Sequence, residues 1–318
     1  MTIRPGPVPT WSWALLGLAV VAVSSAGIVL QEMREVPPLL RASWRMQGTS
    51  LVLLPGFIYQ ARKHGIGAYT RRDAMIIMIS GLFLAAHFGS WVWSLDHTSL
   101  VHSLLFVTAH PLVVVAIMPV FGSIVRRGHI AGAVIGFSGA AITLLDVGGS
   151  GVVTLIGDAA AFLGAVTVVG YLMAGRYLRS EREMPIFVYA FPVTLLAGII
   201  LSVSSIAVEG SAISTTLPEA RVLGWSDASW IVWVAYLSLG PGLCGHTGIN
   251  TVLRWIPPIV VSIALIFEPV IGAMIGWLWT GEALIGAYTI IGGTLMITGA
   301  ILVTIEENRT EGAQNAVS

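Results

Sequence analysis

Long apolar stretches separated by short polar segments recur ten times along this chain. They cover roughly residues 11–33, 37–60, 73–95, 98–121, 129–145, 152–173, 185–208, 228–250, 256–280 and 285–305. A helix needs about 20 apolar residues to cross a bilayer, and most of these stretches supply them. They are too long for barrel strands and lack the turn signals that would separate such strands. In lipid every backbone polar group must be satisfied within its own segment, which leaves helices. The pattern therefore predicts an all-α integral membrane protein with ten transmembrane helices.

The polar segments between the spans fix an orientation. Arg62, Lys63, Arg71, Arg72, Arg126, Arg127, Arg176, Arg179, Arg182 and Arg254, with Arg4 and Arg309 in the tails, fall on one side. Those are twelve of the sixteen basic residues; Arg34 and Arg221 fall on the other side, and Arg41 and Arg45 lie within a span. Basic residues accumulate in cytoplasmic loops, so both termini are expected in the cytosol and the host is expected to be the cell membrane. Ser24-Ser25-Ala26 resembles a small-residue cleavage site, but the preceding segment has one basic side chain and three prolines, so the first span is expected to be retained. Residues 209–227 are expected to form a surface loop, and the polar tail from Glu306 a disordered end.

Composition narrows the class further. Of 318 residues 56% are apolar and 10% charged, against about 25% charged in a soluble domain. Sixteen basic and sixteen acidic residues balance, which gives no electrostatic footprint for a nucleic acid. With Cys244 as the sole cysteine, no disulfide framework is possible.

An internal repeat runs through the chain. The segment from Leu95 to His110-Pro111 aligns with that from Leu253 to Glu268-Pro269 at an offset of 158. Each copy places a titratable residue before a proline in mid-span. Each is followed by a helix with glycines seven apart, Gly132 and Gly139 in one and Gly292 and Gly299 in the other. Five helices per unit is an odd number, so the second copy enters from the opposite face. The expected organisation is a tail over residues 1–10, inverted five-helix repeats over 11–150 and 151–305, and a cytosolic tail over 306–318. Inverted repeats favour a site at the midplane exposed alternately to either side.

On these residues the chain resembles the drug/metabolite transporter superfamily, and EamA-type carriers in particular. The resemblance rests on Pro37 to Arg45, on Leu95-Asp-His-Thr-Ser, on the mid-helix Pro111 and Pro269, and on Gly281-Glu282 before a glycine-spaced last helix. It departs where Arg126-Arg127-Gly128 stands in place of Gly281-Glu282, and at His110. The resemblance implies paired repeats, ten spans, cytosolic ends and transport; it leaves the cargo open among amino acids, nucleotide sugars, phosphorylated sugars, cations and drugs.

Ionisable residues at membrane depth mark candidate sites, since each costs about 2.5–3.5 kcal/mol to insert. Glu268 and His110 sit near the centres of their spans, where the following prolines remove the donors for the Leu265 and Val107 carbonyls. A bend with a titratable group at it suits binding and proton exchange; a structural role, bonded across the bundle, is the alternative. His87 and Trp91 share a helical face, Trp91 being either a stacking surface or an interfacial anchor. Gly240-Pro-Gly-Leu-Cys-Gly-His is expected to interrupt the eighth span, with Gly242, His246 and Asn250 on one stripe. Arg45 either grips a carboxylate or phosphate or snorkels outward. Asp158 reads as a helix N-terminal charge, His102 as a possible neighbour of the same cavity, and His64 and His129 as loop residues. The ridge of Gly128, Gly132, Gly136 and Ala140 serves packing within the chain, or dimerisation.

No phosphate loop, dinucleotide fingerprint or metal-ligand set appears, so neither a cofactor nor a metal is expected. Gly136-Phe-Ser138-Gly139 offers a hydrolase nucleophile only with a base such as His246 beside it. The expectation is a non-enzymatic secondary carrier, monomeric or a homodimer, that exports or exchanges a small polar metabolite, first of all an amino acid or related zwitterion, with protons as candidate coupling ion. The alternatives are an exchanger of nucleotide-linked or phosphorylated sugars, a passive channel and an intramembrane hydrolase.

Overall fold

The computed structural model of the chain describes residues 8–65, 69–117, 125–143, 145, 153–256, 261, 264–281 and 286–317. Among them ten helical spans follow one another. These are α1 (Thr10–Glu32), α2 (Pro38–His64), α3 (Arg71–Ser94), α4 in two pieces (Leu100–Val107 and His110–Ile117) and α5 (Arg127–Thr143). The second repeat has α6 (Leu155–Glu181), α7 (Ile186–Val208), α8 (Ile231–Leu237, Ser238–Thr247 and Gly248–Val252), α9 (its second half Glu268–Thr280) and α10 (Ala287–Val317). No strand forms among the described residues, where an isolated bridge joins Ala212 to Arg221. Large apolar side chains such as Met78, Leu82, Val134, Ile199, Val203 and Met274 face outward, as a lipid-facing surface requires.

Symmetry is visible in what packs against what. α1 packs on α8 and α9 just as α6 packs on α3 and α4, and the mates α2 with α7, α4 with α9, and α5 with α10 lie against one another. Each mated pair is antiparallel. Along α5 and α10, a Cβ added at Gly132 would meet the Gly299 carbonyl at 2.7 Å, and one at Gly139 the Gly292 carbonyl at 2.5 Å. Along α4 and α9, Leu104 faces Gly272 and Leu100 faces Gly276. Mates that run in opposite directions are what an inverted repeat means. The glycine ridge of α5 is spent on this contact: Gly132 and Gly139 meet α10, and Gly136 meets Leu112 of α4.

The same symmetry caps two helices. α2 and α7 each start after an extended proline, Pro37 and Pro185, with no side-chain cap of their own. Glu209, just past the end of α7, accepts from Leu39 N at 2.7 Å and Leu40 N at 3.1 Å; Gln60, near the end of α2, accepts from Phe187 N at 2.9 Å. Each helix thus satisfies orphan donors of its mate. At the end of the bundle where α3 starts, Arg182 donates from Nε (3.0 Å) and Nη2 (2.9 Å) to the buried Asp73 carboxylate, and this fork raises the Arg182 pKa. At the other end Arg41 donates to the Leu30 carbonyl at 2.6 Å and to Asp96. The 209–230 loop docks on α2, where Trp44 Nε1 donates to the Arg221 (3.2 Å) and Val222 (3.1 Å) carbonyls.

Four expectations need correction. The tail does not end the helix: α10 keeps helical backbone to Val317, because Glu, Gln and Ala sustain a helix already nucleated in the membrane. The glycine-rich segment of α8 does not break it; Ser238–Thr247 winds as a π-helix, absorbing the donor lost at Pro241 without a gap. His129 lies in the first turn of α5, buried, with Nδ1 accepting from Arg126 N at 3.2 Å. His64 is the last residue of α2. Glu282 and residues 118–121, 257–260 and 262–263 lie outside the described residues.

Candidate functional site

The two prolines that mark the repeat produce the same local structure. Ala109 N bonds Phe106 O at 3.3 Å, and 158 residues on Phe267 N bonds Ala264 O at 3.3 Å. Helix then restarts, with Val113 N on Ala109 O (3.3 Å) and Ile271 N on Phe267 O (3.0 Å). Both spans break one turn before the proline, where the proline withholds a donor and restrains the residue ahead of it. His110 and Glu268 are therefore the first residues of two half-helices that begin inside the bundle.

These breaks open on a cavity of about 50 Å³. Arg45, His87, Trp91, His110, His246 and Glu268 line it, together with Thr108 and Tyr171. Six of the seven residues singled out in the sequence thus meet at one place. The seventh does not: Asn250 lies behind the wall, its amide nitrogen donating to Tyr171 Oη at 2.5 Å and to His246 O at 2.8 Å. Asn250 positions Tyr171. A second compartment of about 20 Å³ shares Arg45, Tyr171 and His246, and adds Thr49, Phe88, Thr194 and Gly242. Gly242 and His246, within the π segment, do share this second compartment, whereas Asn250 lies in the α-helical turn beyond that segment and is held by its bonds to Tyr171 and the His246 carbonyl.

Arg45 does not snorkel. It is 1% exposed, its guanidinium lies 4.3 Å above the Phe88 ring and 5.8 Å from that of Trp91, and its Nε and Nη1 have no hydrogen-bond partner. The Glu268 carboxylate lines the same cavity. Trp91 Nε1 and His110 Nε2 are likewise buried and unpartnered, so three side chains bring unmet polar atoms to one cavity. His87 Nδ1 lies 2.9 Å from the Gly164 carbonyl, which only accepts; the proton is on Nδ1 and Nε2 carries the lone pair. The His87 and Trp91 rings stack with centroids 6.2 Å apart, and His246 stands 6.2 Å from His87.

Other candidates fall elsewhere. His102 pairs with Asp158 outside the cavity, so Asp158 is more than a helix-end charge. Ser138 is exposed on α5, which contributes no residue to the cavity. Sequence reasoning passed over Thr108 and Tyr171. Thr108 was within reach, since it lies in the turn that Pro111 breaks; Tyr171 is an aromatic in an apolar span and carried no signal.

Antiparallel helical mates enclosing a shielded cavity at matched breaks define a membrane transporter of the inverted-repeat class. The sequence matches the EamA-like transporter family over residues 11–145 and 155–305, and the chain belongs to that family, within the drug/metabolite transporter superfamily. Its members are integral membrane transporters rather than enzymes. No protein of curated function matches the sequence. A solved structure titled only "Crystal structure of protein" is similar over 95% of this chain and 99% of its own, with 19% identity and a TM-score of 0.61; at that identity it bears on the fold alone.

Proposed function

We propose that this chain is a secondary carrier that exports or exchanges a small zwitterionic metabolite, an amino acid or close relative, by alternating access. Both termini would lie in the cytosol and the host would be the cell membrane. One observation carries the reading: the buried, unpartnered guanidinium of Arg45 faces a cavity that also holds Glu268. A buried polar atom without a partner calls for a ligand or water. A carboxylate answers Arg45 by a charge-assisted fork, and an ammonium group answers Glu268. The two half-helix N-termini add positive potential at the same place. Phosphorylated or nucleotide-linked cargo fits less well, because Arg45 is the one fixed cation among the described residues that line a small cavity.

The test is counterflow of radiolabelled amino acids into proteoliposomes. Saturable exchange is expected for at least one neutral amino acid. Arg45→Lys keeps the charge but loses the fork, and should raise KM about tenfold or more, the equivalent of about 1.4 kcal/mol. Saturable exchange of a sugar phosphate but of no amino acid would replace this reading with the runner-up, and flux without counterflow would indicate a channel.

A further inference from the structure

The second compartment is walled in part by hydroxyls that lack a partner. A buried threonine in a helix ordinarily folds its hydroxyl back on a carbonyl three or four residues earlier. Thr49 does so on Arg45 O at 2.7 Å, Thr108 on Leu104 O at 2.7 Å and Thr167 on Leu163 O at 2.9 Å. Thr194 of α7 and Thr247, the last residue of the π segment of α8, depart from this habit. They are 7% and 6% exposed, both line the compartment, and neither hydroxyl has a hydrogen-bond partner among the described residues. Packing does not demand threonine here, because valine fills nearly the same space without a polar atom. A buried hydroxyl left without a partner costs stability and calls for a ligand or water.

The two compartments meet at Arg45, Tyr171 and His246, which line both. A carboxylate gripped by Arg45 therefore sits at their junction, and the α-carbon of an amino acid is one bond further on. With the ammonium group toward Glu268 in the larger compartment, the remaining substituent of that carbon enters the smaller one. A water-sized group needs about 10–15 Å³ of such space, so a compartment of about 20 Å³ takes one or two heavy atoms beyond the α-carbon. Its walls are close-set. A Cβ added at Gly242 would meet Thr49 Cγ2 at 2.8 Å, and Phe88 lies 4.3 Å beneath the Arg45 guanidinium. We propose that this compartment is the side-chain pocket of the substrate, and that Thr194 and Thr247 select a short side chain bearing a hydroxyl, of the size of serine's.

The chemistry of the pair suits that choice. Each threonine hydroxyl both donates and accepts, so one can give a hydrogen bond to the incoming hydroxyl while the other takes one from it. The remaining polar atoms are engaged elsewhere: the Thr49 hydroxyl is spent on the Arg45 carbonyl, and Trp91 Nε1 and His110 Nε2 line the larger compartment alone. Alanine would fit but leave both threonines unmet. Valine, leucine and phenylalanine would leave them unmet and overfill the space. A site built to hydrogen-bond a hydroxyl discriminates more strongly against its absence than an apolar pocket does against one methylene.

The pocket rests on the amino-acid carrier reading, and the experiment separates the two. Counterflow of radiolabelled serine, alanine, valine and leucine is measured in proteoliposomes of the full chain. In the wild type kcat/KM for serine should exceed that for alanine about tenfold, the loss expected for one unmet buried hydroxyl, with valine and leucine lower still. Thr194→Val and Thr247→Val keep the shape of the wall and remove one hydroxyl each. Either should lower the ratio of serine to alanine exchange by about tenfold. Because the ratio is taken within one variant, a smaller folded fraction or a merely structural role does not move it. Equal exchange of serine and alanine by the wild type overturns the pocket, whose hydroxyls then hold water, and so does leucine exchanged as well as serine. A ratio unchanged in both valine variants overturns it too. Should neither variant fold, the wild-type order decides alone. Exchange of no amino acid sinks the carrier reading and the pocket with it, whereas exchange without this order sinks the pocket only.

Discussion

α4 and α9 share a break, residue for residue, but not the side chain that stands at it. One half-helix begins with an imidazole and the other with a carboxylate, and the aligned sequence differs again, the buried His102 matching Val260 at the offset of 158. The scaffold is two-fold and the chemistry is not. A two-fold scaffold gives a carrier two near-equivalent arrangements, inward and outward, of similar energy. Different residues at equivalent places then distinguish the ends of one asymmetric substrate.

The largest expected effect comes from exchanging the two. In His110→Glu combined with Glu268→His, the cavity keeps its composition while the carboxylate moves away from the place that faces Arg45. Flux should fall by about 10²-fold, as expected when a buried charge loses a fitted partner worth about 3 kcal/mol or more, while fold and thermal stability stay near wild type. Retained flux would mean that the positions are interchangeable and that the asymmetry has no mechanistic content. Glu268→Gln alone refines the point: if flux and its pH dependence are both unchanged, Glu268 leaves the mechanism.

Next is the break itself. Pro111→Ala and Pro269→Ala each return an N–H within reach of the Val107 or Leu265 carbonyl. One hydrogen bond contributes about 1 kcal/mol net toward a continuous helix, and straightening turns His110 or Glu268 away from the cavity. Each variant should lose flux about fivefold while gaining amide-exchange protection across the former break. Equal losses would show that both breaks are used alike. Loss in one variant only would confine the working hinge to that repeat.

What the sequence revealed and what it hid divide along the same line. Features with a covalent cause were legible: a proline in mid-span breaks a helix wherever it occurs, so the bends and the residues beside them, His110 and Glu268, were readable by number. Arg45, His87, Trp91 and His246 were readable because an ionisable or polar group in lipid has few places to go. Features set by helix phase were not. The π winding of α8 was hidden because a Pro-Gly pair fits a gap as well as a widened turn, and Asn250 was misplaced because its partner Tyr171 lies 79 positions away on another helix. His102 and Asp158 were each seen as single residues, since partners 56 positions apart on different helices show no spacing to read. Tyr171 enters the wall only because α6 packs against α3 and α4.

The smallest effects are expected at the reciprocal caps, where the comparison is cleanest. Glu209 and Gln60 do the same work at opposite ends of the α2–α7 pair, but Glu209 is charged and takes two backbone donors where Gln60 takes one. An N-terminal cap is worth about 0.5–2 kcal/mol, and a negative charge at a helix N-terminus adds about 0.3–1 kcal/mol. Glu209→Ala should therefore destabilise by about 2 kcal/mol and Gln60→Ala by about 1 kcal/mol, measured as unfolding free energies in the same detergent. Glu209→Gln removes the charge but keeps an acceptor, and should fall between wild type and Glu209→Ala. If Glu209→Ala and Gln60→Ala cost the same, the charge contributes nothing at this depth and the caps act by hydrogen-bond geometry alone. If Glu209→Gln matches wild type while Glu209→Ala does not, the second donor accounts for the difference between the two ends.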